Sequence, residues 1–276
     1  MEQIDIFLNL PQSKFYRDEQ ENLLLSYRTS LQKGKPYLVF LHGYNGNSKS
    51  WAYQFNYFKN KFSLIAIDFP GFGGSETMSD PDMCKVSGLI HRALKSINVD
   101  RFSLLGHSMG GMLAQIISTN YSESVEKLIL SCTHTGYALD YKYPLRDPYM
   151  KRLEQRKEMS DLEYGKLRVK KMLPTLRDEN IFNFLAKISE EITVESILCG
   201  GTAMQILSTK NILNKIKCPC LILTGSDDIV VSKEKSSFLI NQITHSIHHE
   251  IQGAGHAPYC EDYNEFNDRV NTFLSS

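Results

Sequence analysis

The feature that most constrains the fold is a regular alternation between short apolar runs and segments of helical spacing. The apolar runs are YLVFL (37–41), SLIAID (63–68), FSLLG (102–106), KLILS (127–131), CLILTG (220–225) and IHHEIQG (247–253). The middle runs are apolar on both faces, as parallel strands are when helices cover both sides of a sheet. With helical spacing over 84–97 and 112–121, the alternation predicts an α/β protein with a doubly wound, mostly parallel sheet. The earlier run at 22–29 is expected to add antiparallel strands at one edge.

The alternation is interrupted between about Thr135 and Leu213, where a charged segment of helical character occupies residues 152–173. The strand pattern resumes at Cys220, so this stretch is expected to be an inserted helical cap and not an independent domain. The expected boundaries are 1–134 and 214–276 for the core domain and 135–213 for the cap.

Charge and cysteine content narrow the classes of function. The 31 basic and 31 acidic residues cancel, so the charge of the whole chain does not indicate nucleic acid or an anionic membrane as a partner. The six scattered cysteines lack paired metal-binding spacing, which indicates reduced thiols and gives no sign of a metal or cofactor. The first ten residues do not resemble a secretory signal, and no apolar window is long enough to span a bilayer. We therefore expect a cytoplasmic protein.

A G-x-S-x-G motif places Ser108 between the run FSLLG and a helical segment. A serine at such a strand-to-helix turn projects its hydroxyl at the carboxyl end of the strand, and the flanking glycines allow close packing. The helix N-terminus also favours developing negative charge. A phosphate-binding loop is excluded because no Gly-Lys-Ser/Thr follows. The sequence thus predicts that Ser108 is a nucleophile.

An active serine needs a base, and His256 is the strongest candidate among eight histidines. It lies in the glycine-framed loop GAGHAP directly after the last predicted strand, which lifts the ring over the carboxyl edge of the sheet. His248 and His249 lie within that strand and point to opposite faces. The His107 side chain is expected to leave the turn in a different direction, and His91 is expected to pack on a helix.

The acid that orients the base should follow a strand between the serine and the histidine. The stretch LTGSDDIVV (223–231) offers two adjacent candidates, Asp227 and Asp228. Aspartates in turns often only cap them. We favour Asp228, three residues after Gly225, and Asp227 stays open as the alternative.

Catalysis by a serine also needs donors for the oxyanion of the tetrahedral intermediate. One donor is expected to be the backbone N–H of Met109, directly after the nucleophile. The second is expected to be the N–H of Tyr44, because the strand at 37–41 runs directly into a glycine-containing loop. His42 is interpreted as an anchor of this loop.

Five motifs in this order, HGYNGN, DFPGFGGS, GHSMGG, GSDD and GAGH, resemble the α/β-hydrolase superfamily and its serine-nucleophile, esterase-like branch. The resemblance extends from about Leu23 to Leu274. It implies the α/β-hydrolase fold with a variable cap. It also implies Ser108 as nucleophile, Asp228 as acid, His256 as base, and the N–H groups of Tyr44 and Met109 as the oxyanion hole.

The residue type at position 108 limits the classes of reaction that the protein can catalyse. An aspartate at position 108 would imply a dehalogenase or an epoxide hydrolase, whereas a serine with a base and an acid implies acyl transfer to water. A small-molecule acyl ester is the favoured substrate, and lactones, thioesters and some carbon–carbon bonds also fit. A receptor that binds a ligand without turnover on the same fold remains the alternative of a different class.

The charged segment of the expected cap gives one further clue. Residues 142–177 contain eleven basic and five acidic side chains in a chain of zero net charge. A solvated helix face explains this excess, and so does a docking surface for an acidic partner. Similar hydrolases that demethylate pimeloyl-carrier-protein esters bind an acidic carrier protein through basic cap residues. By this analogy Arg152, Arg156 and Lys157 are candidates for carrier-protein docking.

Overall fold

The computed structural model describes residues 6–276, so the expectation about the N-terminal ten residues lies partly outside the described residues. Its strands are β1 (Ser13–Asp18), β2 (Leu23–Ser30), β3 (Tyr37–Leu41), β4 (Ser63–Ile67), β5 (Phe102–His107), β6 (Val125–Ser131), β7 (Cys220–Gly225) and β8 (Ile247–Ile251). They form one sheet in the order β1-β2-β4-β3-β5-β6-β7-β8. β4 is added on one side of β3 and β5 on the other, as in a doubly wound sheet.

Strand direction confirms the expected sheet. β1 pairs with β2, and β2 with β4, in the antiparallel sense, whereas every pairing from β4 through β8 is parallel. The central strands β4, β5 and β7 are buried at every position, which explains why their sequences are apolar on both faces.

Helices cover both faces of the sheet. Outside the β6–β7 connection they are α1 (Ala52–Phe58), α2 (Met83–Ser96), α3 (Met109–Asn120), α8 (Lys233–Gln242), α9 (Pro258–Glu261) and α10 (Tyr263–Ser275). Alternate residues of β3 face opposite sides. Val39 packs in the core that contains α2 and α3, and Phe40 packs in the core that contains α1 and α10. Within residues 6–276, no helix combines the length and the apolar content needed to cross a bilayer.

Four more helices lie between β6 and β7, and we call the stretch 135–213 that carries them the helical insertion. They are α4 (Asp147–Glu158), α5 (Asp161–Met172), α6 (Glu179–Ser189) and α7 (Val194–Ile206). The segment expected to be helical over 152–173 is divided at Ser160, which caps α5 through a reciprocal pair of hydrogen bonds with Glu163. The two ends of the insertion are joined by backbone hydrogen bonds, among them Thr209 N–H to the Thr135 carbonyl at 2.9 Å. Its treatment as a cap separate from the core remains a prediction.

Candidate active site

Ser108 occupies a strained turn between β5 and α3. Its φ of 52° and ψ of −116° lie in a region that non-glycine residues rarely adopt. The flanking glycines make this turn possible. A Cβ on Gly106 would lie 2.3 Å from the Gly110 carbonyl oxygen, and a Cβ on Gly110 would lie 2.2 Å from that of Leu41. The close packing of α3 against β3 and β5 therefore presents the Ser108 side chain at the sheet edge.

Ser108 and His256 meet through their side chains. The Nε2 atom of His256 lies 3.0 Å from Ser108 Oγ, and its Nδ1 atom lies 2.9 Å from Asp228 Oδ2. The other carboxylate oxygen of Asp228 accepts the backbone N–H groups of Val230 and Val231 at 2.8 and 3.0 Å. A continuous chain of hydrogen bonds thus joins a hydroxyl, an imidazole and a carboxylate.

Asp228 is the aspartate that contacts His256. Burial tends to raise its pKa, but His256 and the two backbone N–H groups outweigh burial and hold that pKa below its ordinary value. An ionised Asp228 keeps the proton of His256 on Nδ1, which leaves Nε2 able to accept the Ser108 proton. Asp227, the alternative, is exposed and accepts the Ser226 hydroxyl at 2.8 Å.

The loop after β3 orients the backbone N–H of Tyr44. The Gly43 carbonyl accepts the Nδ1–H of His42 at 2.8 Å and the N–H of Gly46 at 3.0 Å. The C=O and N–H of a trans peptide point in opposite directions, so this anchoring turns the Tyr44 N–H away from His42. No acceptor for that N–H is present in the part of the chain that the structure describes. A Cβ on Gly43 would lie 3.2 Å from Ser108 Cβ, so the loop lies directly beside the serine.

The Met109 N–H is oriented by the same principle. The Ser108 carbonyl accepts the Thr133 hydroxyl at 2.6 Å and the Gly111 N–H at 2.9 Å. The Met109 N–H of the same peptide therefore points the other way, and residues 6–276 offer it no acceptor. It is also the first N–H of α3, where the helix dipole favours a negative ligand atom.

His107 lies nearer the site than the sequence analysis expected. Its ring centroid is 5.0 Å from that of His256, and its Nδ1 lies 3.3 Å from Ser131 Oγ. Burial holds the pKa of His107 well below its ordinary value, so the ring is neutral. Three of the other histidines pack elsewhere: His91 stacks on Tyr121, His248 contacts Thr224, and His249 contacts Glu265.

Glu261 is a site residue that the sequence analysis missed. Its two carboxylate oxygens accept the N–H groups of Gly255 at 3.0 Å and Ala257 at 2.8 Å, one on each side of His256. Burial raises the pKa of Glu261. The two hydrogen bonds accepted by this carboxylate hold the loop that carries His256. No local pattern marks this residue, because its role depends on how α9 folds back onto the loop.

A protein-family model described as the alpha/beta hydrolase fold matches residues 36–186, more than half of the chain. The chain belongs to the alpha/beta hydrolase fold family. The sheet order and the strand–serine–helix turn described above agree with this membership.

Relatives of this alpha/beta hydrolase have several named activities. It is 25% identical over 247 residues to pimeloyl-[acyl-carrier protein] methyl ester esterase of Hamiltonella defensa, covering 87% of this chain and 93% of that protein. It is 31% identical over 119 residues to epoxide hydrolase 4 of Mus musculus, covering 42% of this chain but only 33% of that protein. The solved enol-lactonase of Burkholderia xenovorans has a TM-score of 0.83 at 17% identity, covering 95% of this chain and all of that one, which shows a shared fold.

In this alpha/beta hydrolase a cavity of about 320 Å³ opens beside Ser108 and His256. That volume is at the lower end for small-molecule sites. The helical insertion supplies much of its wall, with Met172 and Leu185 contributing apolar surface. The arrangement can hold a small acyl compound with its carbonyl against the serine.

The three basic residues predicted to form a docking surface do not share one face. Arg152 lines the cavity and donates to Asn45 Oδ1 at 2.9 Å. Arg156 is paired with Asp161 and is mostly buried. Of the three side chains, only Lys157 is exposed.

One group of side chains has the spacing of a metal site. Cys132, Asp228 and His256 each place a potential ligand atom within 4.8 Å of the others. Burial, aided by the charge of Asp228, holds the pKa of the Cys132 thiol well above its ordinary value, whereas metal binding requires a thiolate. The hydrogen bonds of His256 to Ser108 and Asp228 also occupy both ring nitrogens. Cys132 is buried, and its Sγ atom lies 4.0 Å from the Gly255 carbonyl oxygen.

Proposed function

We propose that this alpha/beta hydrolase cleaves carboxylic esters through an acyl-enzyme on Ser108. The observation that carries the proposal is the position of His256, 3.0 Å from Ser108 Oγ and 2.9 Å from Asp228 Oδ2. A nucleophile, a base and an orienting acid in this geometry activate a hydroxyl that is otherwise a poor nucleophile.

In the first half-reaction Ser108 Oγ attacks the ester carbonyl carbon while His256 Nε2 takes the hydroxyl proton. Negative charge develops on the carbonyl oxygen, and the N–H groups of Tyr44 and Met109 stabilise it. The tetrahedral intermediate collapses, His256 returns the proton to the leaving alcohol, and an acyl-serine remains. Asp228 stabilises the imidazolium while it exists.

In the second half-reaction water replaces the alcohol. His256 removes a proton from water, and the hydroxide attacks the acyl carbonyl. The same two N–H groups hold the oxyanion. Collapse releases the carboxylic acid and returns the proton to Ser108, so no co-reactant other than water is consumed.

The serine favours an ester over an epoxide, although an epoxide hydrolase is among the relatives. Epoxide opening on this fold calls for a carboxylate nucleophile at the turn, and this chain has Ser108 there. One relative that matches most of this chain and most of its own length is named as a pimeloyl-[acyl-carrier protein] methyl ester esterase. A carrier-linked acyl ester is therefore the narrower form of the proposal. A lactone, a thioester or a carbon–carbon bond next to a carbonyl could also undergo the same attack.

The cytoplasm is the compartment that we propose. All six cysteines are free thiols, in agreement with a reducing compartment.

The proposal is tested by hydrolysis of p-nitrophenyl butyrate by wild type and Ser108→Ala. Loss of the nucleophile is expected to lower kcat by at least about 10³-fold. Ser237→Ala, on the exposed face of α8, is the matched control and should retain wild-type kcat. Turnover that survives Ser108→Ala would exclude the proposed role of Ser108. Binding of esters with negligible turnover would favour the receptor alternative.

A further inference from the structure

The cavity next to Ser108 is lined by basic side chains without acidic ones. Among the described residues that line it, none is Asp or Glu, and five carry a positive charge: Arg146, Arg152, Arg168, Lys171 and Lys235. None of these five forms an ion pair with a carboxylate within residues 6–276. Cations that lie close together in an enclosed site repel one another and lose hydration, so they destabilise the folded state unless an anion neutralises them.

Arg168 is the most constrained of the five. Its residue is only 4% exposed, and its Nη2 donates to a neutral acceptor, Gln155 Oε1, at 2.6 Å. The Nε atom is buried and has no partner in the described part of the chain. Burial and the nearby charge of Arg152 lower the pKa of Arg168 to about 10, which still leaves it charged at neutral pH. A charged guanidinium with an unused donor therefore lies in the wall of the cavity.

Arg152 and the exposed Lys171 extend this positive region along the cavity. Arg152 lies with its guanidinium carbon 4.7 Å from the centre of the Tyr44 ring, so it neighbours the proposed oxyanion loop. The pKa of Lys171 is lowered by burial first and then by the charges of neighbours that include Arg168 and Arg152. The three cations thus lie near one another on the wall formed by α4 and α5.

The other basic residues near the cavity also have partners in the protein. Arg156, on α4 but outside the cavity lining, pairs with Asp161. Arg146 and Lys235 lie over the Tyr137 ring at 3.7 and 4.8 Å, where the ring face attracts positive charge. The guanidinium groups of Arg152 and Arg168 likewise lie over the rings of Tyr44 and Tyr164, at 4.7 and 5.0 Å. Arg168 differs from the other four cations because it is buried and its Nε atom has no partner in the described part of the chain.

We propose that Arg152, Arg168 and Lys171 form a subsite for an acid group, a carboxylate or a phosphate, carried by the small molecule that the enzyme cleaves. Guanidinium groups bind the oxygens of a planar carboxylate or a tetrahedral phosphate through charge-assisted hydrogen bonds. This inference rests on the proposed function for its reacting bond, and it specifies the substrate class as an anionic ester.

The kinetic test compares two chromogenic esters of equal acyl length, the mono-p-nitrophenyl ester of glutaric acid and p-nitrophenyl pentanoate. The former carries a terminal carboxylate where the latter carries a methyl group. In wild type kcat/KM is expected to be about tenfold to a hundredfold higher for the glutarate ester. Arg168→Gln, Arg152→Gln and Lys171→Gln should each bring this ratio toward one. Lys166→Gln, which removes an exposed charge of the same helical insertion outside the cavity, should preserve it.

A binding test separates this inference from the proposed function. Ser108→Ala is titrated by calorimetry with glutarate, pentanoate and inorganic phosphate, with and without Arg168→Gln. Glutarate binding that Arg168→Gln abolishes supports the subsite, even if the wild-type enzyme hydrolyses neither ester. Phosphate binding that Arg168→Gln abolishes, in the absence of glutarate binding, supports the subsite and identifies phosphate as its acid group.

Two outcomes overturn the inference. Efficient hydrolysis of both esters with equal kcat/KM would support the proposed esterase activity and contradict the anion subsite. A preference that Lys166→Gln abolishes and the cavity variants retain would place anion recognition on the outer surface. If Arg168→Gln does not fold, as judged by circular dichroism, Arg152→Gln and Lys171→Gln decide the question, because both side chains are less buried.

Discussion

The Nδ1 atom of His256 lies 2.9 Å from Oδ2 of Asp228. The adjacent Asp227 is exposed on the same turn and bonds to Ser226 instead. Two neighbouring carboxylates therefore have separate surroundings, and they provide a matched pair for mutagenesis.

Asp228→Asn should lower kcat for p-nitrophenyl butyrate by about 10³- to 10⁴-fold, because an amide no longer holds His256 in the required tautomer or stabilises its cation. Asp227→Asn should leave kcat within about twofold, as expected for a surface change. Both rates are measured at saturating substrate. Equal losses in the two variants would contradict the assignment of Asp228.

Glu261→Gln should lower kcat by about tenfold to a hundredfold with little change in KM, because an amide can accept only one of the two N–H groups beside His256. A displacement of the base by a fraction of an ångström is enough for such a loss. Glu265→Gln serves as the control, since that carboxylate contacts His249 and Arg269 away from Ser108. An unchanged kcat in Glu261→Gln would show that the loop holds its position without the carboxylate.

The substitution His42→Phe should also lower kcat. The ring anchors the Gly43 carbonyl through Nδ1 and accepts the Phe69 N–H through Nε2 at 3.0 Å. Phenylalanine keeps the ring and removes both hydrogen bonds, so the Tyr44 N–H loses its orientation and kcat should fall about tenfold to a hundredfold. His91→Phe retains stacking on Tyr121 and should be nearly silent. A larger effect on KM than on kcat would argue against a role in orienting the oxyanion donor.

The buried side chain of His134 should lower the free energy of unfolding of the protein at acid pH. Burial, aided by the charge of Lys235, lowers the pKa of His134 to about 3, whereas the unfolded chain has an ordinary value of about 6.5. Between these two values the unfolded state binds a proton that the folded state excludes. The stability associated with the neutral ring is complete above about pH 6.5 and is lost progressively as pH falls to about 3.

The variant His134→Asn should remove this dependence while keeping an acceptor for the Gly136 N–H. Between about pH 7 and pH 4.5 the free energy of unfolding of wild type should fall by about 2 to 3 kcal/mol more than that of the variant. Urea titrations at both pH values measure the difference. His245→Asn, a change on the surface, should follow the wild-type curve, and parallel curves for all three proteins would refute the role of His134.

Local patterns were enough to predict the sheet and the strand-to-helix turn. Burial on both faces makes central strands continuously apolar, so β4, β5 and β7 are recognisable without tertiary information. Ser108 and His256 each follow directly from a strand, and parallel strands end at one edge. Their location at the same edge of the sheet is therefore a consequence of strand direction. Their direct contact depends on the loop after β8, because β6 and β7 lie between β5 and β8. Their catalytic roles remain predictions.

The sequence by itself thus determined the fold class and the edge of the sheet at which the candidate site lies, because both depend on contacts between consecutive elements. Tertiary structure alone decided which of two adjacent aspartates contacts His256, and that Glu261 supports its loop. It also decided that Arg168 lines the cavity while Arg156 pairs with Asp161. The first two outcomes depend on how the loops after β7 and β8 and the short helix α9 meet. The third depends on how the helices of the insertion pack on one another. A count of charges along a helix does not specify the direction in which each charge points.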